Sequence, residues 1–325
     1  MSIYNDFLKR RSHLSGLPVE LGIEITNRCN LECPMCAREE MTRPTGDMSL
    51  ELLKKIIDEI EPFAEMVYLH GDGEPCLHKN IYEALAYVKK KGLKVGISTN
   101  ATTLNENNAK MLIDSKIDYL IVALDGLSKE TYEKIRVKGN FEKVVENVKN
   151  FLELKQKMRS KIFTAIQFIE MDENKHESKE FVEFWKAYNP NVIRIKPLVN
   201  LINRSKVAQF KMPCFYLWRQ TMIDWDGTVF PCCVDTNSDY SFGNIANESL
   251  AEIWNSKSIQ NMREMHIQSR QNEIDMCNTC DMPQLNNLAI LGASLMNGFK
   301  VKKILPYYEN VSNLYRGAVN NLLGG

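Results

Sequence analysis

Residues 26–38 read Thr-Asn-Arg-Cys-Asn-Leu-Glu-Cys-Pro-Met-Cys-Ala-Arg, with Cys29, Cys33 and Cys36 separated by three and then two residues. Three soft thiolates this close converge on one inorganic centre only if the backbone between them curls around it. A structural zinc takes four ligands, and no further Cys or His follows Cys36 until His70. An iron–sulfur cube held by three cysteines leaves one iron open to bind another molecule, which is the arrangement of a reactive centre. A structural zinc or a redox switch is the competing reading of such a run. The apolar segment Val19–Ile25 just before it reads as a strand and sets the loop at a strand end.

A second set of cysteines lies in the C-terminal third: Cys214, Cys232, Cys233, Cys277 and Cys280, the last two forming a CxxC. Trp225–Cys232 reads as a β-hairpin whose Asp226-Gly227 turn delivers a cysteine to a site. Two cysteines plus CxxC satisfy tetrahedral zinc as well as a cluster, so both metals stay open on residues alone. Cys76 has no partner at ligand spacing and reads as a small buried residue. His70 and His78 read as structural imidazoles.

These groups need a scaffold, and the hydrophobic periodicity supplies one. Strands are expected at 19–26, 65–70, 93–98, 118–124, 162–169 and 192–195. Helices are expected between them, one capped by Ser49 and a long one broken at Gly139-Asn140. Strands alternating with helices imply a parallel sheet. Six units are fewer than the eight of a closed barrel, so the expectation is an open, partial (βα)6 barrel of TIM type.

In such folds chemistry collects at the carboxyl ends of the strands. Gly71-Asp72-Gly73-Glu74-Pro75 follows the second strand, Ser98-Thr99-Asn100 the third and Leu124-Asp125-Gly126 the fourth. Gln167 lies in the fifth strand. Arg194 and Lys196 share parity in the sixth, where both can face a cavity and act on a carboxylate or a substrate proton. Each of these taken alone also reads as a cap, a turn or a solvated strand edge.

Composition narrows the class. The chain has 325 residues, 25% charged and 44% hydrophobic, and Lys plus Arg balance Asp plus Glu at 41 each. That is ordinary for a globular protein and argues against a nucleic-acid binder. The N-terminal residues lack the apolar core of a signal peptide, and no segment approaches a membrane span. Nine cysteines in an unexported chain point to thiolate ligands in a reducing cytoplasm.

The CxxxCxxC run after the first strand, together with the rim motifs, resembles the radical S-adenosylmethionine (SAM) superfamily. The hairpin, Gly243-Asn244-Ile245 and the closing CxxC resemble its SPASM auxiliary-cluster module. No cysteine follows Cys280, which favours the shortened twitch form. The resemblance implies two 4Fe-4S clusters. One sits on Cys29, Cys33 and Cys36 with SAM on its open iron, and an auxiliary one sits on Cys214, Cys232, Cys277 and Cys280, with Cys233 spare. GDGEP departs from the family's GGEP. It implies that Gly71, Gly73, Glu74 and Pro75 receive the SAM amino group, and that Ser98, Asn100 and Asp125 meet its ribose or carboxylate. Asp125, Arg194 and Lys196 are the candidate catalytic residues.

The implied organisation is a leader at 1–18, a barrel at 19–200, an auxiliary segment at 201–284 and a helical tail at 285–325. The implied activity is reductive SAM cleavage and hydrogen abstraction by a 5′-deoxyadenosyl radical. Its expected use is oxidation, with the auxiliary cluster relaying an electron, or rearrangement of a small polyhydroxylated or aminated metabolite. A flavodoxin or ferredoxin is the implied electron donor. The alternatives are peptide modification, a lipid or cell-envelope substrate suggested by the apolar face of the tail, and a non-enzymatic iron–sulfur carrier.

Overall fold

A computed structural model of the chain describes residues 3–198, 213–278 and 280. Among these, 17–198 with 219–259 form one compact unit; 3–16, 213–218 and 260–278 with Cys280 form another.

The larger unit is built on one sheet. Its first six strands alternate with helices: β1 (Glu20–Ile23), α2 (Leu50–Ile60), β2 (Met66–Tyr68), α3 (Ile81–Lys90), β3 (Lys94–Thr99), α4 (Glu106–Asp114), β4 (Tyr119–Ala123), α5 (Lys129–Ile135), α6 (Phe141–Lys157), β5 (Phe163–Glu170), α7 (Ser178–Lys186) and β6 (Val192–Pro197). The strands pair in parallel in sequence order from β1 to β6. Leu21 and Ile23, Val67, Val95 and Ile97, Leu120 and Val122, and Ile166 and Phe168 have essentially no exposed surface. On each strand they share one parity, so they form the helix-facing side of the sheet. Against them the helices bury stripes at helical spacing, such as Leu53, Ile56, Ile57 and Ile60 on α2 and Ile81, Ala84, Leu85 and Val88 on α3. Full burial of each such aliphatic side chain contributes roughly 1.5–3 kcal/mol. The other parity, Glu20, Gly22 and Tyr68 among it, is left for the inner face.

The sheet does not end at β1. β7 (Gln220–Ile223) pairs with β1 in parallel, and β8 (Thr228–Phe230) and β9 (Gly243–Asn244) continue antiparallel, giving the order β6-β5-β4-β3-β2-β1-β7-β8-β9. The hairpin does turn at Asp226-Gly227, but its strands span 220–230 and extend the barrel sheet. The physical reason is that β1 would otherwise present a row of unpaired backbone groups.

The smaller unit holds α1 (Ile3–Leu8), whose Phe7 packs edge-on against Phe215 and Trp218 at ring distances of 4.9 and 5.3 Å. Trp218 Nε1 donates to the Arg11 carbonyl at 2.9 Å, and the buried Arg263 donates to the carbonyls of Leu217 and Ser12. The expected helical tail over 285–325 and the boundary near residue 200 lie outside the described residues.

Most helix starts follow local chemistry. Ser49, Asn105 and Asn140 cap α2, α4 and α6 through side-chain oxygens. Asn140 Oδ1 accepts from Lys143 N at 2.8 Å where α5 and α6 part. Asn140→Ala is expected to lower stability by about 1 kcal/mol in chemical denaturation.

Candidate functional site

The three-cysteine loop leaves β1 and returns to α2. Asn27, fully buried, closes it: Oδ1 accepts from Gly46 N at 2.8 Å and Nδ2 donates to the Pro44 carbonyl at 2.9 Å. Thr26 adds a 2.6 Å bond to Asp47 Oδ1 and accepts from Arg28 N. Trp225 from the β7–β8 turn covers Gly46 and donates to Pro44, and Asn237 bonds Thr42 N at 2.7 Å. The Thr-Asn ahead of the first cysteine is therefore the loop's clasp.

Within the clasp the thiols are free and near one another. Cys36 N donates to the Cys33 carbonyl at 2.9 Å, a single turn between the second and third cysteines. Burial pushes the Cys36 thiol up to about 11, with Asp72, Cys33 and Cys29 adding to the effect and the Arg38 backbone N–H opposing it. Burial also raises Cys33, against the pull of Arg136. Buried or half-buried and beside other thiols, Cys33 and Cys36 are disfavoured as thiolates until a cation neutralises them.

The Gly-rich turn after β2 lies directly on this loop. Glu74 N donates to the Arg28 carbonyl at 2.8 Å. An added Cβ on Gly73 would overlap the Thr26 carbonyl oxygen and lie 2.8 Å from that of Arg28, so only glycine fits this approach. Pro75 follows, buried, in the first position of a short 3-10 turn. Gly71 packs against the Glu24 side chain in the same way.

Two of the expected rim carboxylates are held by partners within the chain. The Glu74 side chain, expected to receive an amino group, is 2% exposed and accepts from Thr99 Oγ1, Asn100 N and Cys76 N at 2.6–3.0 Å. Its carboxylate braces the end of β3. Asp125, expected to touch ribose or substrate, has no exposed surface. Its Oδ1 accepts from Ile169 N at 2.6 Å and its Oδ2 from Arg136 Nη2 at 2.5 Å.

The remaining rim groups divide. Asn100 joins the loop, donating to Asn30 Oδ1 at 3.0 Å and to Cys29 Sγ at 3.9 Å. Ser98 N donates to His70 Nδ1 at 3.2 Å. Gln167, Arg194 and Lys196 lie on β5 and β6, at the far edge of the sheet. Arg194 is 1% exposed over the Tyr119 ring, at 5.3 Å.

Arg43, which sequence reasoning passed over, links the ends of three strands. It forms a paired bridge to both Glu24 oxygens at 2.6 and 2.8 Å, meets Asp72 at 3.1 Å and Asp224 at 3.4 Å, and donates to the Thr236 carbonyl. Burial lifts Asp72 to about 6 and Asp224 to about 7, with Glu24 adding to both and Arg43 opposing. A glutamate inside the apolar Leu21–Ile25 strand was the available signal, since a buried strand carboxylate requires a cationic partner.

Beside this network a cavity of about 180 Å³ runs along the inner side of β1, β2, β7 and β8, lined by Glu20, Glu24, Tyr68, His70, Asp72 and Cys233 among others. Burial brings His70 down to about 4, so its ring is neutral. Because Nδ1 accepts from Ser98, the proton sits on Nε2. His70 is held by Ser98, as a structural imidazole would be, and also lies in the cavity wall. Its parity with Tyr68 in β2 was the signal.

Comparison with known proteins accords with this geometry. The radical SAM superfamily profile matches residues 23–182, and an iron–sulfur cluster-binding domain, SPASM, matches 214–281. The chain belongs to the radical SAM superfamily. It is 27% identical over 289 residues to a tungsten-containing aldehyde ferredoxin oxidoreductase cofactor-modifying protein from Pyrococcus furiosus, covering 73% of this chain and 81% of that protein. It is 26% identical over 280 residues to the antilisterial bacteriocin subtilosin biosynthesis protein AlbA of Bacillus subtilis, covering 76% of this chain and 61% of AlbA. The crystal structure of BtrN in complex with AdoMet and 2-DOIA superposes with a TM-score of 0.58 at 18% identity, over 82% of this chain and 94% of BtrN, a likeness of fold. The radical SAM and SPASM domains carry 4Fe-4S clusters and SAM as cofactors.

The residues present fit those groups. A cube takes one thiolate per iron, and the radical SAM loop offers three thiols outside any disulfide on one clasped loop, with a glycine turn pressed against its backbone. Arg136 Nε beside them is buried with no hydrogen-bond partner among the described residues. In the SPASM segment Cys280 N donates to the Cys277 carbonyl at 3.3 Å, repeating the turn of Cys33 and Cys36, and Cys214 N donates to His266 Nδ1 at 3.2 Å. Cys232 is half-buried and Cys233 is exposed at the cavity of the larger unit. Among the described residues no helix is long and apolar enough to cross a membrane.

The carboxylates give a pH signature. Asp72 and Asp224 hold protons more tightly folded than unfolded, so between pH 4 and 7 the native state binds more protons and stability falls as pH rises through their folded values. Asp224→Asn removes one of these groups. Its melting temperature relative to wild type is expected to rise from pH 5 to pH 8; a flat difference would remove this electrostatic account.

Proposed function

We propose that this radical SAM enzyme abstracts a hydrogen atom from a small polyhydroxylated or aminated molecule, oxidising or rearranging it in the cavity beside Arg43. The observation that carries the substrate class is the wall of that cavity. Glu20, paired with Arg219, and Asp72, paired with Arg43, place carboxylate oxygens along it, and His70 carries an Nε2–H donor, within about 180 Å³. Hydroxyl and amino groups answer both kinds of partner.

In this reading Cys29, Cys33 and Cys36 hold the cube, and Cys214, Cys232, Cys277 and Cys280 hold the auxiliary one. The barrel runs over 19–200 and the auxiliary segment over 201–284. When bound, the open cube and SAM supply one-electron cleavage to methionine and a 5′-deoxyadenosyl radical. The chain's part is to hold and orient. Backbone groups of Gly71, Gly73 and Pro75 would hold the SAM amino group, and Ser98 and Asn100 would hold its ribose or carboxylate. Glu74 and Asp125 act as braces for Asn100 and Arg136. Arg194 and Lys196 remain the cations on β6 for an acidic part of the substrate. Four-cysteine ligation leaves no open position on the auxiliary cube, which suits electron transfer rather than substrate binding.

Similarity to the Pyrococcus furiosus cofactor-modifying protein supports a small-molecule substrate. Similarity to AlbA favours a second reading, modification of a peptide, whose side chain rather than whole backbone enters the cavity. A reducing compartment and a flavodoxin- or ferredoxin-type donor accompany either.

Anaerobic reconstitution tests the first step. Wild type is expected to bind about eight irons and Cys29/Cys33/Cys36→Ala about four, the latter with no methionine or deoxyadenosine formed under reductant. SAM left intact by the wild type under strong reductant would overturn the enzymatic reading. Four irons with one zinc would remove the electron-transfer role of the second site.

A further inference from the structure

We propose that Arg136, anchored by Asp125, sets the reduction potential of the cube on Cys29, Cys33 and Cys36. The inference rests on the reading of those cysteines as the cube's ligands. Two of the thiols receive an N–H donor from distant stretches of chain: Asn100 Nδ2 reaches Cys29 Sγ at 3.9 Å and Arg136 Nη1 reaches Cys33 Sγ at 3.7 Å. Of these two donors only Arg136 carries a full charge.

The placement of that charge is over-determined. Arg136 ends α5 with its N–H on the Tyr132 carbonyl at 2.7 Å, and Gly139 N donates back to the Arg136 carbonyl at 2.7 Å. The following residues tie this turn to the cysteine loop: Glu32 N donates to the Val137 carbonyl at 3.1 Å, and Lys138 pairs with Glu32. On the guanidinium itself, Nη2 is fixed by Asp125 Oδ2 at 2.5 Å. Asp125 cannot swing away, because its other oxygen holds Ile169 N and its backbone sits at φ +63°. The guanidinium is planar, so fixing Nη2 directs Nη1 at the sulfur.

Reduction adds a negative charge to the cube and its thiolates. A cation and an N–H donor fixed at a ligand sulfur, both in a buried site, stabilise the reduced form more than the oxidised one and raise the potential. A guanidinium stays protonated in proteins, and the Asp125 carboxylate paired with Arg136 favours that charge. The Asp125 carboxylate, expected from sequence at the substrate, thus acts on the cofactor through Arg136.

The test is a redox titration of the reconstituted full chain followed by electron paramagnetic resonance, with the cube identified as the signal that changes when SAM is added to a parallel sample. In Arg136→Gln the cube is expected to be at least tenfold harder to reduce, a shift of about 59 mV to more negative potential for one electron. Arg136→Lys keeps the charge but not the fork and is expected to shift in the same direction by less. Wild-type iron content with unchanged potential in Arg136→Gln would overturn the proposal. Should Arg136→Gln fail to take up iron, an unchanged potential in Arg136→Lys would overturn it equally. A failure of the ligand reading shows elsewhere, as a SAM-responsive signal that survives in Cys29/Cys33/Cys36→Ala.

Discussion

Arg43 is the cation on which the reactive end of the barrel depends. One guanidinium, 10% exposed, meets carboxylates from the end of β1, from the turn after β2 and from the end of β7, while its own backbone belongs to the returning arm of the cysteine loop. Buried charge of this kind is poor evidence for net stability, because desolvation of the ions consumes most of the attraction. It is better understood as a device for register. Removing one partner leaves others buried and uncompensated, at a cost of about 3–5 kcal/mol, so the loop has one well-defined way to close.

With that closure in place, the polar groups at the strand ends sort themselves by what they hold. Glu74 fixes Asn100, Asp125 fixes Arg136, and Asn27 fixes the two arms of the loop. Each brace is a buried acceptor facing a backbone N–H or a cation, and each ends one bond away from the thiols or the turn beside them. Preorganisation of this sort matters for a centre whose cofactor carries the difficult chemistry and leaves orientation to the protein. The inner face stays separate: His70, Tyr68 and the carboxylates of β1 line a cavity, and no helix-facing aliphatic residue intrudes there.

What the sequence makes legible is what is local or covalently spaced. Ser49 and Asn140 announce their helices because a cap acts within three residues, and the CxxxCxxC run announces its chemistry because the spacing itself makes the site. The pairing of β7 with β1 is hidden because its partners lie some 200 residues apart, Glu20 against Gln220. Asp125 is ambiguous for another reason: a carboxylate at a strand end reads the same whether it meets a ligand or, as here, also an arginine eleven residues on. Arg43 and Arg136 carry no motif at all, and only the folded chain shows what they touch.

The central claim is that the loop's geometry, locked by Arg43, is what makes three cysteines a cluster site. The most direct measurement is iron and sulfide per chain in Arg43→Met after anaerobic reconstitution, set beside the wild type. The account predicts selective loss of the SAM-binding cube, about eight irons falling to about four with the auxiliary cluster retained. A variant that keeps all its iron and its SAM-responsive signal would contradict it.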